Sequence, residues 1–327
     1  MVYELLDLIG KSVMVTGGAG FIGSHLVDAL IREKVGNLVV VDNLFLGKEI
    51  NLNGARSTYP GLKFYKENVR NTSKMREIIK SEEIDVVFNL AVIPLLTSLE
   101  EPIWTWDENI KMTETICELA REKLFDTLIH FSSSEAYGSA IDYPMREDHP
   151  MNPTTPYAAS KAAADLLVNS YICTFGIDAS IVRPFNNYGP RQNEGSYAGI
   201  IPIVIQKILS GAAPVIFGDG GQTRDFIFVG DVARAAIMVY KNRRTRKKAI
   251  NIATGKEISI NDLVRIIAKV MKYNGEILYE ATRAGDVRQH WADISLAWNI
   301  LGFEPKVGFE EGISHTVKWY IKKLNAD

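Results

Sequence analysis

At 327 residues and 36.5 kDa the chain is long for one ordinary domain and short for three, so two domains are expected. Apolar residues at 46% and charged residues at 23% exclude a disordered chain. A net charge of −2, from 37 Lys and Arg against 39 Asp and Glu, leaves no electrostatic footprint for nucleic acid or a membrane surface. Two cysteines, Cys117 and Cys173, make no disulfide framework, and five scattered histidines show no metal-ligand spacing, so no metal site is predicted. No apolar run reaches the ~18 residues of a membrane span. The first residues, MVYELLDLIGK, lack the basic start and cleavage site of a signal peptide, so a cytoplasmic protein is expected.

Through the first half, short apolar runs alternate with helical patterns. Strands are predicted over Ser12–Thr16, Leu38–Asp42, Lys63–Lys66, Asp85–Ala91, Thr127–Ser132 and Asp178–Arg183. Val39-Val40-Val41 and Val86-Val87-Phe88 are uninterrupted, as in strands buried on both faces of a parallel sheet. A helix is predicted over Ser24–Lys34, where Leu26, Ala29 and Leu30 share a face, and another over Tyr157–Phe175, stopped by Gly176. This alternation implies right-handed βαβ units and an α/β fold built on a doubly wound parallel sheet. Beyond Pro184 Gly, Pro, Asn and Arg become frequent, and a smaller, loop-rich second domain is expected. It closes on a helix from about Gly312 to Leu324, with Ile313, Val317, Tyr320 and Leu324 on one face.

The strongest local signal is Val13-Met14-Val15-Thr16-Gly17-Gly18-Ala19-Gly20-Phe21-Ile22-Gly23, a strand that opens a helix through glycines spaced three apart. Gly17 permits the tight turn, Gly20 a close backbone approach to a pyrophosphate, and Gly23 close packing of helix on strand. The helix N-terminus supplies amide donors to the phosphates. Asp42 ends the next strand, where its carboxylate would accept from an adenosine ribose and repel a 2′-phosphate. NAD is therefore favoured over NADP, and Lys48 nearby weakens that preference slightly.

Tyr157 and Lys161 are four residues apart on a predicted helix and share a face. A lysine cation one turn away would lower the phenol's ionisation and make tyrosinate available as a general base. The fifth predicted strand runs into Ser132-Ser133-Ser134-Glu135, at the sheet edge where ligands bind in open α/β folds. A hydroxyl there, at Ser133 or a neighbour, would reach a substrate oxygen beside Tyr157, and Glu135 adds a carboxylate to the same loop.

The ordered set GGAGFIG, VDNL, FSSSEAYG, YAASK, RPFNNYGPRQ, QTRDFIFVGDVARA and RAGDVRQHWAD resembles the extended short-chain dehydrogenase/reductase family, and within it the NAD-dependent nucleotide-sugar epimerases and dehydratases. The resemblance runs from about Lys11 to about Tyr320. It implies a Rossmann-like cofactor domain over 1–183, with a return segment about 224–254, and a smaller α/β nucleotide-sugar domain over 184–327. It implies that Tyr157 takes the proton of the sugar 4-hydroxyl while hydride leaves C4 for NAD, giving a 4-keto sugar. Ser133 would hold the oxygen, and Lys161 would tune Tyr157 and bind the cofactor ribose. The cofactor site would comprise Gly17, Gly20, Phe21, Ile22, Gly23, Asp42, Asn43, Asn68, Val69 and Ala91 with Tyr157 and Lys161. Ser134 and Asn186 would face the substrate, and Arg224 and Arg283 its diphosphate, which suits the bidentate guanidinium. A homodimer is implied, formed through helices at about Trp104–Arg121 and Tyr157–Phe175, where Leu166, Leu167 and Tyr171 are available.

Two departures stand out. Glu67-Asn68 replaces the family's usual Gly-Asp, which leaves an amide oxygen, rather than a carboxylate, for the adenine amine. Ala91-Val92-Ile93-Pro94-Leu95-Leu96-Thr97-Ser98 is unusually apolar, as plain packing or as a wall against the sugar. Glu135 bears on the reaction. Epimerases typically carry a neutral residue there, whereas many dehydratases and the decarboxylases carry Glu, a base able to take the C5 proton acidified by the 4-keto group. Ser134 stands where the deoxythymidine-sugar dehydratases have an acid. The expectation is a 4,6-dehydratase, with a 4-epimerase as the alternative, toward which RAGDVRQHWAD and GDGGQTRDF point, then a UDP-glucuronate decarboxylase or 4-dehydrogenase. A catalytically silent NAD-binding scaffold is the remaining alternative.

Overall fold

The computed structural model describes residues 5–282 and 287–325. The chain passes through β1 (Ser12–Thr16), α1 (Phe21–Arg32), β2 (Asn37–Val41), α2 (Asn53–Thr58), β3 (Lys63–Tyr65), α3 (Thr72–Ser81), β4 (Val86–Asn89), α4 (Leu95–Glu100), α5 (Pro102–Arg121), β5 (Thr127–Phe131), α6 (Pro156–Phe175) and β6 (Ala179–Pro184). It continues through β7 (Asn186–Tyr188), α7 (Ile200–Leu209), β8 (Val215–Phe217), β9 (Thr223–Arg224), β10 (Phe226–Phe228), α8 (Val229–Lys241), β11 (Ala249–Ile252), β12 (Ile258–Ser259), α9 (Ile260–Val270), β13 (Leu278–Glu280), α10 (Ser295–Leu301) and α11 (Phe309–Leu324).

A seven-stranded sheet in the order β11-β6-β5-β4-β1-β2-β3 forms the centre, with every neighbouring pair parallel. The fold is α/β and Rossmann-like. The reason lies in the apolar runs. Val13 and Val15 of β1 pack into one hydrophobic cluster and Met14 into the other. Leu38 and Val40 of β2 take the first side, and Val39 and Val41 the second. Consecutive side chains of a strand point to opposite faces, so an uninterrupted apolar run is stable only where helices cover both. Here α1 and α8 lie on one face and α3 and α5 on the other. Fully burying one such side chain is worth roughly 1.5–3 kcal/mol.

All six predicted strands form, β1 with the predicted bounds and the other five shorter or shifted by a few residues. A seventh, β11, adds to the edge beside β6 and was not predicted as a strand. The helix expected from Ser24 begins at Phe21, so the glycine loop leads straight into α1. Local chemistry sets the ends of α6. Thr155 caps it by accepting from the Ala158 amide at 3.1 Å, Pro156 occupies the first turn, and Gly176 closes it in the left-handed region at φ 69. Beyond β6, Tyr188, Phe226, Leu263, Ile267, Ile313, Val317 and Tyr320 gather into a separate core among α7, α9 and α11.

Candidate active site

β1 pairs with β2 on one side and β4 on the other, so the connections leave it in opposite directions and open a crevice at the strands' carboxyl ends. The first wall is the glycine turn. Gly17 has φ +67, and a Cβ on it would lie 2.9 Å from the Ala91 amide nitrogen. A Cβ on Gly23 would meet the Gly17 carbonyl oxygen at 2.2 Å. The backbone is therefore pressed together as no other residue would allow. The N-cap of α1 is Gly20, with no side chain to satisfy the first amides, and the first turn holds no acidic residue. Such an end is suited to an anionic group.

Asp42 follows β2 into the same cleft. Its carboxylate accepts from the Leu44 amide at 2.8 Å and the Ala19 amide at 3.0 Å. Burial raises its pKa, and those amides oppose the rise. Two backbone donors fix the group and leave further lone pairs for ribose hydroxyls. Asn68 is more committed than expected. Its amide oxygen accepts from the Arg70 amide at 3.0 Å, and its amide nitrogen donates to Glu108 at 3.2 Å. One oxygen lone pair remains for an adenine amine. Asn43, Val69 and Ala91 line the cleft with Gly17, Gly20, Phe21, Ile22, Gly23 and Asp42.

The far end carries the reactive groups. Ser133, Tyr157 and Lys161 line the same cleft. Lys161 donates to the Phe131 carbonyl, at the end of β5, at 2.6 Å. The Ser133 hydroxyl accepts from the Glu135 amide at 3.2 Å and also interacts with the Tyr157 phenol. The expectation that Lys161 lowers Tyr157 is not met in this state. Burial pushes Tyr157 up to about 12, partly offset by Ser133 and reinforced by Glu135. Burial also pushes Lys161 down to about 8. Desolvation opposes both charged forms and outweighs the help of Ser133 to Tyr157 and of Asp165 to Lys161. Burial likewise raises the carboxyl of Glu135, against the pull of Arg224.

The remaining candidates are placed as follows. Ser134 is buried and does not line the cofactor cleft. Asn186 donates through its side-chain amide to the Asp225 carbonyl at 3.3 Å, while its neighbour Asn187 lines the cleft. Arg224 donates to the carbonyls of Thr223 and Val287 at 2.8 and 2.7 Å, with its charge felt by Glu135. Arg283 lies outside the described residues. Val92, Ile93 and Pro94 line the cleft, and Ile93 is fixed by Asn109 through its amide at 2.7 Å and carbonyl at 3.1 Å. Sequence reasoning missed Phe45, Leu46 and Gly47, which complete the Asp42 end of the cleft. Gly47 offered a signal, five residues past Asp42: a Cβ there would sit 2.6 Å from the carboxylate.

Residues 13–253 match the NAD dependent epimerase/dehydratase family. The chain belongs to that family. It is similar to UDP-N-acetylglucosamine 4-epimerase from Methanobrevibacter ruminantium, solved in complex with UDP-N-acetylmuramic acid: 37% identical, TM-score 0.90, covering 96% of this chain and 99% of the other. It is 34% identical to the UDP-glucose 4-epimerase of Mycolicibacterium smegmatis over 95% of this chain and 98% of the relative. It also resembles dTDP-glucose 4,6-dehydratase from Streptomyces venezuelae, solved with NAD bound: 28% identical, TM-score 0.89, covering 97% and 98%. The family is NAD-dependent, and the cradle fits NAD. The α1 amides would hold the pyrophosphate, Asp42 the adenosine ribose and Lys161 the nicotinamide ribose. No helix among the described residues is long and apolar enough to cross a membrane.

Proposed function

We propose that this chain is a nucleotide-sugar 4-epimerase acting on a UDP-hexose or UDP-N-acetylhexosamine, in preference to the 4,6-dehydratase that Glu135 alone suggests. The observation that carries the reading is the likeness of nearly the whole chain to 4-epimerases, at 37% and 34% identity. Burial raises the Glu135 carboxyl, against the pull of Arg224. A 4-epimerase needs only proton and hydride transfer at C4. NAD, when bound, supplies the hydride acceptor and donor. Tyr157 exchanges the proton of the 4-hydroxyl, Ser133 orients that oxygen, and Lys161 would hold the nicotinamide ribose. Ser134, buried beside them, provides no acid for a departing C6 hydroxyl. The 4,6-dehydratases this chain resembles are less similar, at 30% and 28% identity. Arg224, Asn186 and Arg283 are the proposed diphosphate and sugar contacts.

Glu135→Gln tests this. Epimerisation of a UDP-hexose should fall by less than about tenfold, because the amide keeps a donor in place. A 4-keto-6-deoxy product from the parent protein, its formation falling about 10²–10⁴-fold in the variant as for a removed general base, would favour the dehydratase. We also propose a homodimer through α5 and α6, where Ile103, Trp106 and Leu166 stay exposed at 73%, 38% and 61%.

A further inference from the structure

Behind the cleft lies a chain of buried charges that the reaction above leaves unassigned. Tyr157, Lys161 and Asp165 recur every four residues along α6 and share one face. Lys161 and Asp165 are 5% and 1% exposed. Asp165 accepts from Arg183 Nε at 2.8 Å, with Arg183 projecting from β6. Arg183 also donates to the Tyr137 hydroxyl at 2.9 Å and the Glu147 carbonyl at 3.1 Å, and stacks 4.9 Å over the Tyr137 ring. Tyr137 in turn donates to Asn251 Oδ1 at 2.7 Å, on β11. Arg183 is buried, and its donors go to Asp165, Tyr137 and Glu147 rather than to solvent.

The other charged and titratable groups around Lys161 do not supply a free anion. His130 of β5 is held well below its ordinary value by burial, with Lys161 adding to the effect, so it is neutral. Glu108 of α5 is paired with Arg70. Glu135, in the turn after β5, is raised by burial and faces Arg224. Glu147 is likewise raised by burial, and its carboxylate accepts from the Asn251 amide at 2.9 Å. Burial raises the Asp165 carboxyl too, but the Arg183 guanidinium at 2.8 Å opposes the rise, and among the described residues Asp165 is the carboxylate that acts on both Lys161 and Arg183.

We propose that Asp165 and Arg183 are positioning residues for Lys161: the fold holds one oxygen of the Asp165 carboxylate on Arg183, leaves the Lys161 ammonium hydrogen-bonded to the Phe131 carbonyl, and so keeps its charge available to the Tyr157 oxygen when that phenol gives up its proton. Its catalytic consequence rests on the epimerase reading, but the arrangement itself belongs to the resting protein. Asp165 is the group that raises Lys161 against its burial, which agrees with partial rather than full compensation. A purely structural ion pair would stabilise the fold without governing Lys161.

The test reads Lys161 directly and needs no substrate. Protein labelled with ¹³Cε-lysine and loaded with NAD is titrated by NMR, the Lys161 signal being assigned by its loss in Lys161→Ala. Asp165→Asn should lower the Lys161 midpoint by at least about one pH unit, the size expected for loss of a close opposite charge. Arg183→Gln should raise it, because Asp165 is then free to face Lys161. The double variant Asp165→Asn/Arg183→Gln, which removes one charge of each sign and keeps a neutral hydrogen bond, should stay within about half a unit of the unaltered protein. If one single variant does not fold, the other must still move while the double stays. Unmoved midpoints, shifts of both single variants in the same direction, or a double variant displaced by a full unit would overturn the proposal. None of these outcomes depends on which nucleotide sugar is turned over.

Discussion

Gly23→Ala is the sharpest test of the cofactor cradle. The new methyl would sit 2.2 Å from the Gly17 carbonyl oxygen and 2.8 Å from the Gly18 Cα. A carbon–oxygen contact is comfortable beyond about 3.2 Å, so the overlap is about an ångström, and backbone atoms cannot rotate aside as a side chain does. The first turn of α1 must slide away from the loop after β1. Overpacking of this kind costs ~1–3 kcal/mol, while Ala in place of Gly inside a helix returns up to ~1 kcal/mol. A net loss of about 1–2 kcal/mol follows, with the amides of the first turn displaced from the pyrophosphate. The two assays are thermal melting and the NAD released per chain on denaturation. The variant should melt about 1–3 °C lower and retain at least tenfold less NAD. Gly54→Ala in α2 is the control: nothing lies within 4 Å of a Cβ there, so it should melt no lower than the parent and keep its cofactor. A Gly23→Ala protein matching the parent in both assays would refute the close-packing argument.

Two further outcomes follow from the same geometry. Asp42→Ala removes the charge that would repel a 2′-phosphate, so the NADP-to-NAD affinity ratio should rise by at least tenfold; an unchanged ratio in equilibrium binding would show that Asp42 does not read the ribose. If α5 and α6 join two copies, light scattering should give twice 36.5 kDa, and Leu166→Asp should return the mass to a single chain. A monomeric parent protein would end the dimer proposal.

The parts legible in sequence were those with a local physical signature. Val39–Val41 and Val86–Phe88 announced strands covered on both faces because no half-exposed strand tolerates such runs, and the glycine spacing announced the cradle because only Gly survives those contacts. β11 escaped notice because four residues, Ala249–Ile252, paired on one side only, carry too little pattern. The Tyr157–Lys161 pairing was visible as a four-residue interval, but its electrostatics were not. Helical spacing says that two groups meet, whereas the sign of a shift depends on how much water the tertiary fold removes. Asp165 lay on the same interval and could have been read. Its partner Arg183, eighteen residues on, looks like the end of a strand until the sheet brings it back to α6.

The account turns on what happens at C5 of the sugar. Incubation of the purified protein with UDP-hexoses and UDP-N-acetylhexosamines in deuterated water, read by NMR, answers this in one measurement. The predicted result is a C4 epimer carrying no solvent deuterium at C5. A 4-keto-6-deoxy product deuterated at C5 would contradict the epimerase and restore the dehydratase, and turnover of no nucleotide sugar would remove the enzymatic reading altogether.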